Sequence, residues 1–263
     1  TSHNELPRAR IIAERYQTDH TEFIVEPKAL DVLDHLIYHF EEPYADSSAV
    51  PTYYVSKLTR EYVTVALNGD GGDESFAGYP WYAVQRFAAQ WDVFPRWLRR
   101  LATGWLTRFP LSHHSTAFRR AMLFASTLGE PAGKRYMNYF TSSYFSANEK
   151  RHLLTSDFLN RCGNLDTAQS IEKVYDGVLA DEPLDRAAGT DIESYLPDDL
   201  LVKVDIASMA NSLEARSPFL DHEFMELAAR MPSDMKMRGY TTKSFLRWAL
   251  RGVVPDEILD GKK

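Results

Sequence analysis

The stretch VALNGDGGDESFAGY, residues 65–79, constrains the fold of this chain more than any other segment. The β-branched run that ends at Leu67 is typical of a buried strand. The three glycines that follow cannot continue the strand, because glycine tolerates positive φ angles and lets the backbone turn tightly. Asp73 and Glu74 then stand where a helix can begin. The segment therefore predicts a strand, a tight glycine turn and a helix start.

Two interpretations of this glycine turn remain open on the residues alone. The simpler one is an acidic turn that caps a helix. However, open α/β sheets bind their ligands at the carboxyl ends of strands, and bare backbone amides beside a helix start can cradle an anion. Carboxylates in such a cradle would repel a phosphate unless a cation lay between them, so the natural ligand would be a Mg²⁺-nucleotide.

Amphipathic helices alternate with short apolar strands up to about residue 80. Helices are predicted over 4–16, 27–40 and 47–62, and strands over 21–25 and 62–67. This order favours an α/β fold with a parallel sheet and helices on its faces. No strand is predicted beyond residue 80, where the chain has the pattern of helices rich in aromatic residues and leucine. The length of 263 residues permits one large domain or two small ones.

A second informative stretch is LPDDLLVKVDIASMANSLEAR, which begins at residue 196. Its first part predicts a helix that is apolar nearly all round and hence buried. Lys203 and Asp205 lie within it, and each needs a partner or a ligand because a buried unpaired charge is costly. The alternative is a local ion pair between Asp199 and Lys203, which are spaced i, i+4. Residues 214–221 are predicted to pin the turn into the next helix, with Asp221 as its cap.

Composition and charge exclude several classes of protein. The net charge of −7 argues against nucleic acid or an anionic membrane as a partner. Residues 93–129 are an exception, because they combine arginines and aromatic rings without any acid; a face that meets another subunit or domain is the favoured interpretation over RNA binding. The single cysteine rules out an internal disulfide, and no run is long and apolar enough to span a bilayer. The sequence therefore predicts a cytoplasmic protein.

Both stretches resemble those of the asparagine synthetases. LNGDGGDESFAGY is similar to the family's Ser-Gly-Asp/Glu-Gly-x-Asp-Glu-x-Phe-x-Gly-Tyr stretch, and LLVKVDIASMANSLEARSPFLDHEFMELAARMP is similar to its buried-helix signature. EEPYADSSAVPTYYVSKL, TDHTEF and PDEIL also fall in the family's order. These motifs are specific for the synthetase domain, but they separate asparagine synthetases less well from relatives such as β-lactam synthetases.

The resemblance implies an α/β domain of the ATP-pyrophosphatase superfamily, the adenine nucleotide alpha hydrolase-like fold, here mostly helical with a few parallel strands. It implies that ATP and Mg²⁺ activate aspartate to β-aspartyl-AMP, which ammonia derived from glutamine then attacks. The implied partners are these small molecules and a glutaminase domain. A homodimer is compatible with the basic segment 93–129.

The resemblance also implies roles for individual residues. It implies nucleotide contacts at Leu67, Asn68, Gly69, Gly71 and Gly72. It implies catalytic roles for Asp70, Lys203 and Lys263, a Mg²⁺ ligand at Asp73, and substrate contacts at Glu74 and Asp205. The sequence departs from the family at three of the matched positions, since serine is usual at Asn68 and arginine at Ile206 and Gly261.

Two family parts are not found in residues 1–263. They are the glutaminase domain, whose nucleophile is an N-terminal cysteine, and a Ser-Gly-Gly-x-Asp-Ser pyrophosphate loop, which is expected upstream of Asn4. Residues 1–263 are therefore expected to be a partial synthetase domain that is inactive on its own. The alternative from another class is a non-catalytic interaction module that keeps the fold.

Overall fold

The computed structural model describes residues 4–25, 28–106, 125, 127–141, 147–163 and 168–261. The chain divides into two compact units. The first comprises the described parts of Thr1–Gly78 and Tyr195–Lys263, and the second is Tyr79–Ser194.

The described chain is mostly helical, with one small parallel sheet. The first unit begins with α1 (Leu6–Tyr16), α2 (Ala29–Phe40), α3 (Ala49–Arg60), β1 (Val65–Leu67) and α4 (Gly72–Ser75). The second unit contains α5 (Pro80–Trp91), α6 (Arg96–Leu106), α7 (Ala132–Thr141), α8 (Ala147–Leu153), α9 (Ser156–Cys162), α10 (Ala168–Gly177) and α11 (Pro183–Glu193). The first unit then resumes with a π-helix (Leu196–Leu201), α12 (Val202–Met209), β2 (Glu214–Arg216), a 3₁₀ helix (Pro218–Leu220), α13 (His222–Ala229), α14 (Ser233–Lys236), α15 (Ser244–Ala249) and α16 (Asp256–Leu259).

The sheet joins two segments that are far apart in the sequence. Strand β1 pairs in parallel with β2, so that Val65 lies opposite Glu214 and Leu67 lies opposite Arg216. The prediction that no strand follows residue 80 is therefore wrong. The segment Glu-Ala-Arg has no β-branched or aromatic residue and gives no local strand signal. Its strand conformation depends on the ladder that it forms with β1.

The predicted burial of β1 is also wrong. Val65 is 40% exposed and Leu67 is 73% exposed. Within the described residues β1 has a strand neighbour only on the β2 side, so its other edge and its outer face are not covered. The strand predicted over 21–25 is not formed either, because none of the described strands pairs with it.

Three helices form a core in the first unit. Helices α2, α3 and α12 bring together a cluster of buried apolar side chains: Val32, Leu36, Phe40, Ala49, Tyr53 and Ala207. Ile206 packs against this cluster, which accounts for an apolar side chain where the family usually has arginine. The predicted helices that correspond to α1, α2 and α3 are confirmed, with ends within a few residues of those expected. Their apolar periodicity is the local signal that made them predictable.

The second unit contains the described part of the basic segment 93–129. The Arg99 guanidinium pairs with Asp92, and the buried Arg135 guanidinium binds the same carboxylate at 2.7 Å. Arg99 is thus used in internal packing, while Trp97 is 64% exposed. Residues 107–124 and 126 of the segment lie outside the described residues, so its role as a subunit or domain face stays a prediction. No helix among the described residues is both long and apolar enough to cross a membrane.

Candidate functional site

The carboxyl ends of both strands meet at the glycine turn. The backbone N–H of Asn68, just past β1, donates to the carbonyl oxygen of Arg216 at 2.9 Å. Ser217, just past β2, donates its hydroxyl to the carbonyl oxygen of Asp70. These bonds place the turn at the edge of the sheet where α/β proteins bind their ligands.

The three glycines of the turn differ in how strongly the surrounding structure requires a residue without a side chain. Gly71 has φ +82°, a conformation that strains any other residue, and a Cβ there would lie 2.2 Å from Leu220 Cδ2, so that leucine would have to move. A Cβ at Gly72 would make only ordinary contact with Phe219. A Cβ at Gly69 would meet no atom of the chain within 4 Å. The fold therefore requires glycine at position 71, whereas nothing in the described chain requires it at position 69.

Asp70 is held inside the turn. The Asn68 side-chain amide donates to Asp70 Oδ2 at 2.7 Å, so the residue that replaces the family's usual serine still provides a hydrogen bond here. Burial raises the pKa of the Asp70 carboxyl above its ordinary value, and the nearby positive charge of Lys203 offsets part of that rise. The charge of Lys203 thus acts on the carboxyl of Asp70; both are predicted catalytic residues.

Lys203 is buried in the first unit, with 8% of its surface exposed. Its ammonium donates to Asp46 Oδ2 at 2.7 Å. The local ion pair with Asp199 is therefore the wrong alternative. Asp199 lies in the π-helical turn, whose wider geometry does not maintain the i, i+4 side-chain spacing of an α-helix. Its Oδ1 instead accepts the Tyr44 hydroxyl at 2.7 Å.

Asp46 is a site residue that the sequence analysis did not single out. Its carboxylate accepts the Ser48 backbone N–H at 2.8 Å and the Ser48 hydroxyl at 2.6 Å. Burial alone would raise the pKa of Asp46, but the hydrogen bonds from Lys203 and Ser48 outweigh it and hold the pKa below its ordinary value. The Asp-x-Ser spacing is typical of a side chain that caps its own turn, and this signal could have located Asp46.

The remaining predicted site residues lie in different surroundings. Asp73 and Glu74 lie in α4, as the predicted helix start required; the Asp73 side chain is a quarter exposed, and Glu74 is buried at 1% exposure. Asp205 is exposed on α12, because a residue two positions from the buried Lys203 does not share its face of a helix. The expectation that this helix is buried all round is therefore wrong. Lys263 lies outside the described residues.

The described residues fit a Mg²⁺-nucleotide in two respects. The open space at Gly69 leaves the backbone accessible at the ends of the strands. The Asp73 side chain is a quarter exposed, and its buried Oδ1 lies 2.9 Å from Lys243 Nζ but accepts no hydrogen bond among the described residues. Those residues contain no cluster of three or more His, Cys, Asp or Glu that could hold a metal alone. Mg²⁺ on a nucleotide commonly takes only one or two carboxylates and completes its shell with phosphate oxygens and water, so a single carboxylate at Asp73 fits.

Comparison with known proteins agrees with this geometry. The sequence model of the asparagine synthase family matches residues 1–263. Asparagine synthetase [glutamine-hydrolyzing] 1 of Bacillus subtilis is 30% identical over 244 residues, which cover 91% of this chain and 36% of that protein. A Mycobacterium bovis protein, provisionally named a glutamine-hydrolyzing asparagine synthetase, is 33% identical over 231 residues, or 88% of this chain and 34% of that protein.

The described chain is mostly helical, and its glycine turn lies at the carboxyl ends of two parallel strands. Because the family's sequence model spans the whole chain, the chain belongs to the asparagine synthase family. It spans about a third of the length of the curated relatives that it matches.

Proposed function

We propose that the chain is the adenylating part of an ATP-dependent asparagine synthetase, with the ATP-pyrophosphatase type of α/β fold. In this reaction the side-chain carboxylate of aspartate displaces pyrophosphate from ATP to give β-aspartyl-AMP, and ammonia then displaces AMP to give asparagine. The observation that carries the proposal is the glycine turn that holds Asp70 at the carboxyl ends of two parallel strands, in a chain of this family.

The glycine turn would hold the nucleotide through its backbone, with Leu67, Asn68, Gly69, Gly71 and Gly72 as the contacting residues. Lys203 would supply positive charge to the phosphates or the substrate, since its ammonium is fixed by Asp46. Asp70 would act in forming and consuming the intermediate. The attack of ammonia releases a proton, and a carboxylate whose pKa is raised by burial is better suited to accept it.

Asp73 would bind the Mg²⁺ that accompanies the phosphates, and the metal would neutralise charge on the departing pyrophosphate. Contacts of Glu74 and Asp205 with the substrate, and of Lys263 with the transferring phosphate, belong to the same proposal. The full enzyme would take its ammonia from glutamine through a glutaminase domain, act in the cytoplasm, and form a homodimer.

The test is an assay of the full-length protein with ATP, Mg²⁺, aspartate and either ammonium or glutamine. We expect pyrophosphate and asparagine to form in equal amounts. Asp70→Asn should lower kcat by about 10²-fold or more, the usual cost of losing a positioned proton-transfer or charge-stabilising group. Asp34→Asn, an exposed aspartate on α2, is the matched control and should react at the normal rate. Full-rate synthesis by Asp70→Asn, or turnover only with a carboxylate other than aspartate, would contradict the proposal.

A further inference from the structure

Lys243 lies directly against the carboxylate of Asp73. Its Nζ is 2.9 Å from Asp73 Oδ1, and each of the two side chains is about a quarter exposed, at 26% and 25%. The contact is an ion pair without hydrogen-bond geometry, because Oδ1 accepts no hydrogen bond among the described residues. Lys243 was not singled out in the sequence, since it lies far along the chain from the glycine turn.

Aromatic packing fixes the approach of Lys243 to Asp73. Phe76, which follows α4, is 2% exposed, and its ring contacts those of Phe224 and Phe245 at centroid distances of 5.7 and 6.4 Å. Phe245 is two residues past Lys243, so this packing holds the start of α15 against α4. Lys243 itself has φ +54°, a left-handed conformation that costs a non-glycine residue energy and is kept only when its surroundings impose it.

Gly78 packs against both side chains of the Lys243–Asp73 ion pair. Its backbone N–H donates to the carbonyl oxygen of Asp73 at 2.7 Å. A Cβ at position 78 would lie 1.7 Å from Asp73 Oδ1 and 2.3 Å from Lys243 Cε. The carboxylate, the lysine stem and the Gly78 backbone are therefore packed so tightly that a single methyl group would displace the carboxylate.

The two oxygens of Asp73 are consequently not equivalent. Oδ1 is buried, so the exposed quarter of the side chain lies on the remaining atoms, which are Cβ, Cγ and Oδ2. A carboxylate that binds a metal is commonly oriented by a further group that contacts its second oxygen. Here Lys243 contacts the buried Oδ1, so Oδ2 is the carboxylate oxygen that remains for a cation.

We propose that Lys243 is a positioning residue that turns Asp73 so that Oδ2 faces a divalent cation carried by a pyrophosphate or nucleotide. This inference rests on the proposed role of Asp73. Lys243 acts through the carboxylate and does not itself contact the phosphates.

The experiment is a titration of the full-length protein with Mn²⁺, followed by the electron paramagnetic resonance signal of free Mn²⁺, with and without inorganic pyrophosphate. We expect Lys243→Met to weaken pyrophosphate-dependent Mn²⁺ binding by about 10- to 100-fold, the usual effect of removing a group that orients a metal ligand. Gly78→Ala should weaken it too, although it retains both charged side chains. Lys57→Met, which removes an exposed lysine on α3, should bind as the unaltered protein does.

Two further measurements make the outcome decisive. Binding of pyrophosphate without metal, measured by calorimetry, should be unchanged in Lys243→Met; an equal loss with and without metal would mean that Lys243 contacts phosphate, and would overturn the proposal. If Lys243→Met does not fold, Lys243→Gln takes its place: it removes the charge that pairs with Asp73, and normal Mn²⁺ binding by a folded Lys243→Gln would also overturn the proposal.

The failure of the proposed function gives a different result. If neither the unaltered protein nor Asp73→Asn shows pyrophosphate-dependent Mn²⁺ binding, the metal role of Asp73 is wrong. If the unaltered protein binds, Asp73→Asn does not, and Lys243→Met binds normally, the role of Asp73 stands and only the role of Lys243 is wrong.

Discussion

The Lys203 ammonium lies 2.7 Å from the Asp46 carboxylate, although 157 residues separate them in the sequence. This pair joins the loop before α3 to the first turn of α12. It also places a positive charge close enough to Asp70 to act on the pKa of that carboxyl. A single ion pair thus connects the fold of the first unit with the candidate site.

Lys203→Met should destabilise the protein because it leaves the Asp46 carboxylate without its cation. We expect the free energy of unfolding to fall by about 3 kcal/mol, the low end for breaking a buried pair, since Asp46 retains some exposure. The double variant Lys203→Met/Asp46→Asn should recover most of this loss. Urea denaturation of the single and double variants measures both effects.

The double variant also separates the structural role of Lys203 from the functional one. If ATP binding stays weak when stability has been restored, Lys203 contributes to the ligand site directly. Normal ATP binding by the double variant would mean that Lys203 is only a structural partner of Asp46.

Asp70→Asn should stabilise the fold while it lowers activity. Burial raises the pKa of Asp70, which means that the ionised carboxylate is less favourable in the folded than in the unfolded state. Asparagine removes that charge and can still accept the hydrogen bond from Asn68. A higher melting temperature at pH 7, measured by calorimetry beside the kcat, is the expected pattern. A lower melting temperature would contradict this account of the pKa.

Gly69→Ala tests whether Gly69 is needed for the fold or for the close approach of ATP to the backbone. The added methyl group meets no atom of the chain within 4 Å, so stability should be unchanged or higher by about 0.5 kcal/mol. Affinity for ATP should fall by about tenfold, which corresponds to about 1.4 kcal/mol. Equilibrium binding and thermal melts check the two expectations.

Gly177→Ala is the matched control for this substitution. It too has open space around the added Cβ, and it lies at the end of α10 in the second unit. It should leave ATP affinity unchanged. An equal loss of affinity in both variants would show that the effect does not come from the glycine turn.

Asp46 and Asp70 should give opposite dependences of stability on pH. The folded-state pKa of Asp46 is lowered, so its contribution is complete above its unfolded value of about 3.9 and is lost as the pH falls through the lower folded value. The folded-state pKa of Asp70 is raised, so the ionised group destabilises the fold, and its protonation raises the free energy of unfolding as the pH falls toward about 3.9. Below pH 4, the free energy of unfolding of Asp46→Asn should fall less than that of the unaltered protein. Above pH 4, the stabilisation that protonation of Asp70 gives the unaltered protein as the pH falls should be missing from Asp70→Asn. Superimposable profiles for the two variants would contradict these assignments.

The sequence by itself determined the features that depend on a few neighbouring residues. The positive φ of Gly71 is set by the steric freedom of glycine. Asp221 Oδ1 accepts the Phe224 N–H at 3.1 Å, as its predicted capping role required. Helices α2 and α3 follow from their apolar periodicity. In each case the interactions span only a few residues, so the local sequence contains them.

Only the tertiary structure decided the contacts between distant segments. Strand β2 exists because β1 offers it a parallel ladder, and its own residues carry no strand signal. Lys203 binds Asp46 and not Asp199 because the packing of α12 on α3 brings the loop before α3 to its ammonium. Lys243 reaches Asp73 because aromatic rings hold α15 against α4. Such partners are chosen by packing over the whole unit. Lys203 has other carboxylates near it in the sequence, whereas Lys243 has none close by, and in both cases the burial of the apolar faces determines which carboxylate lies within reach.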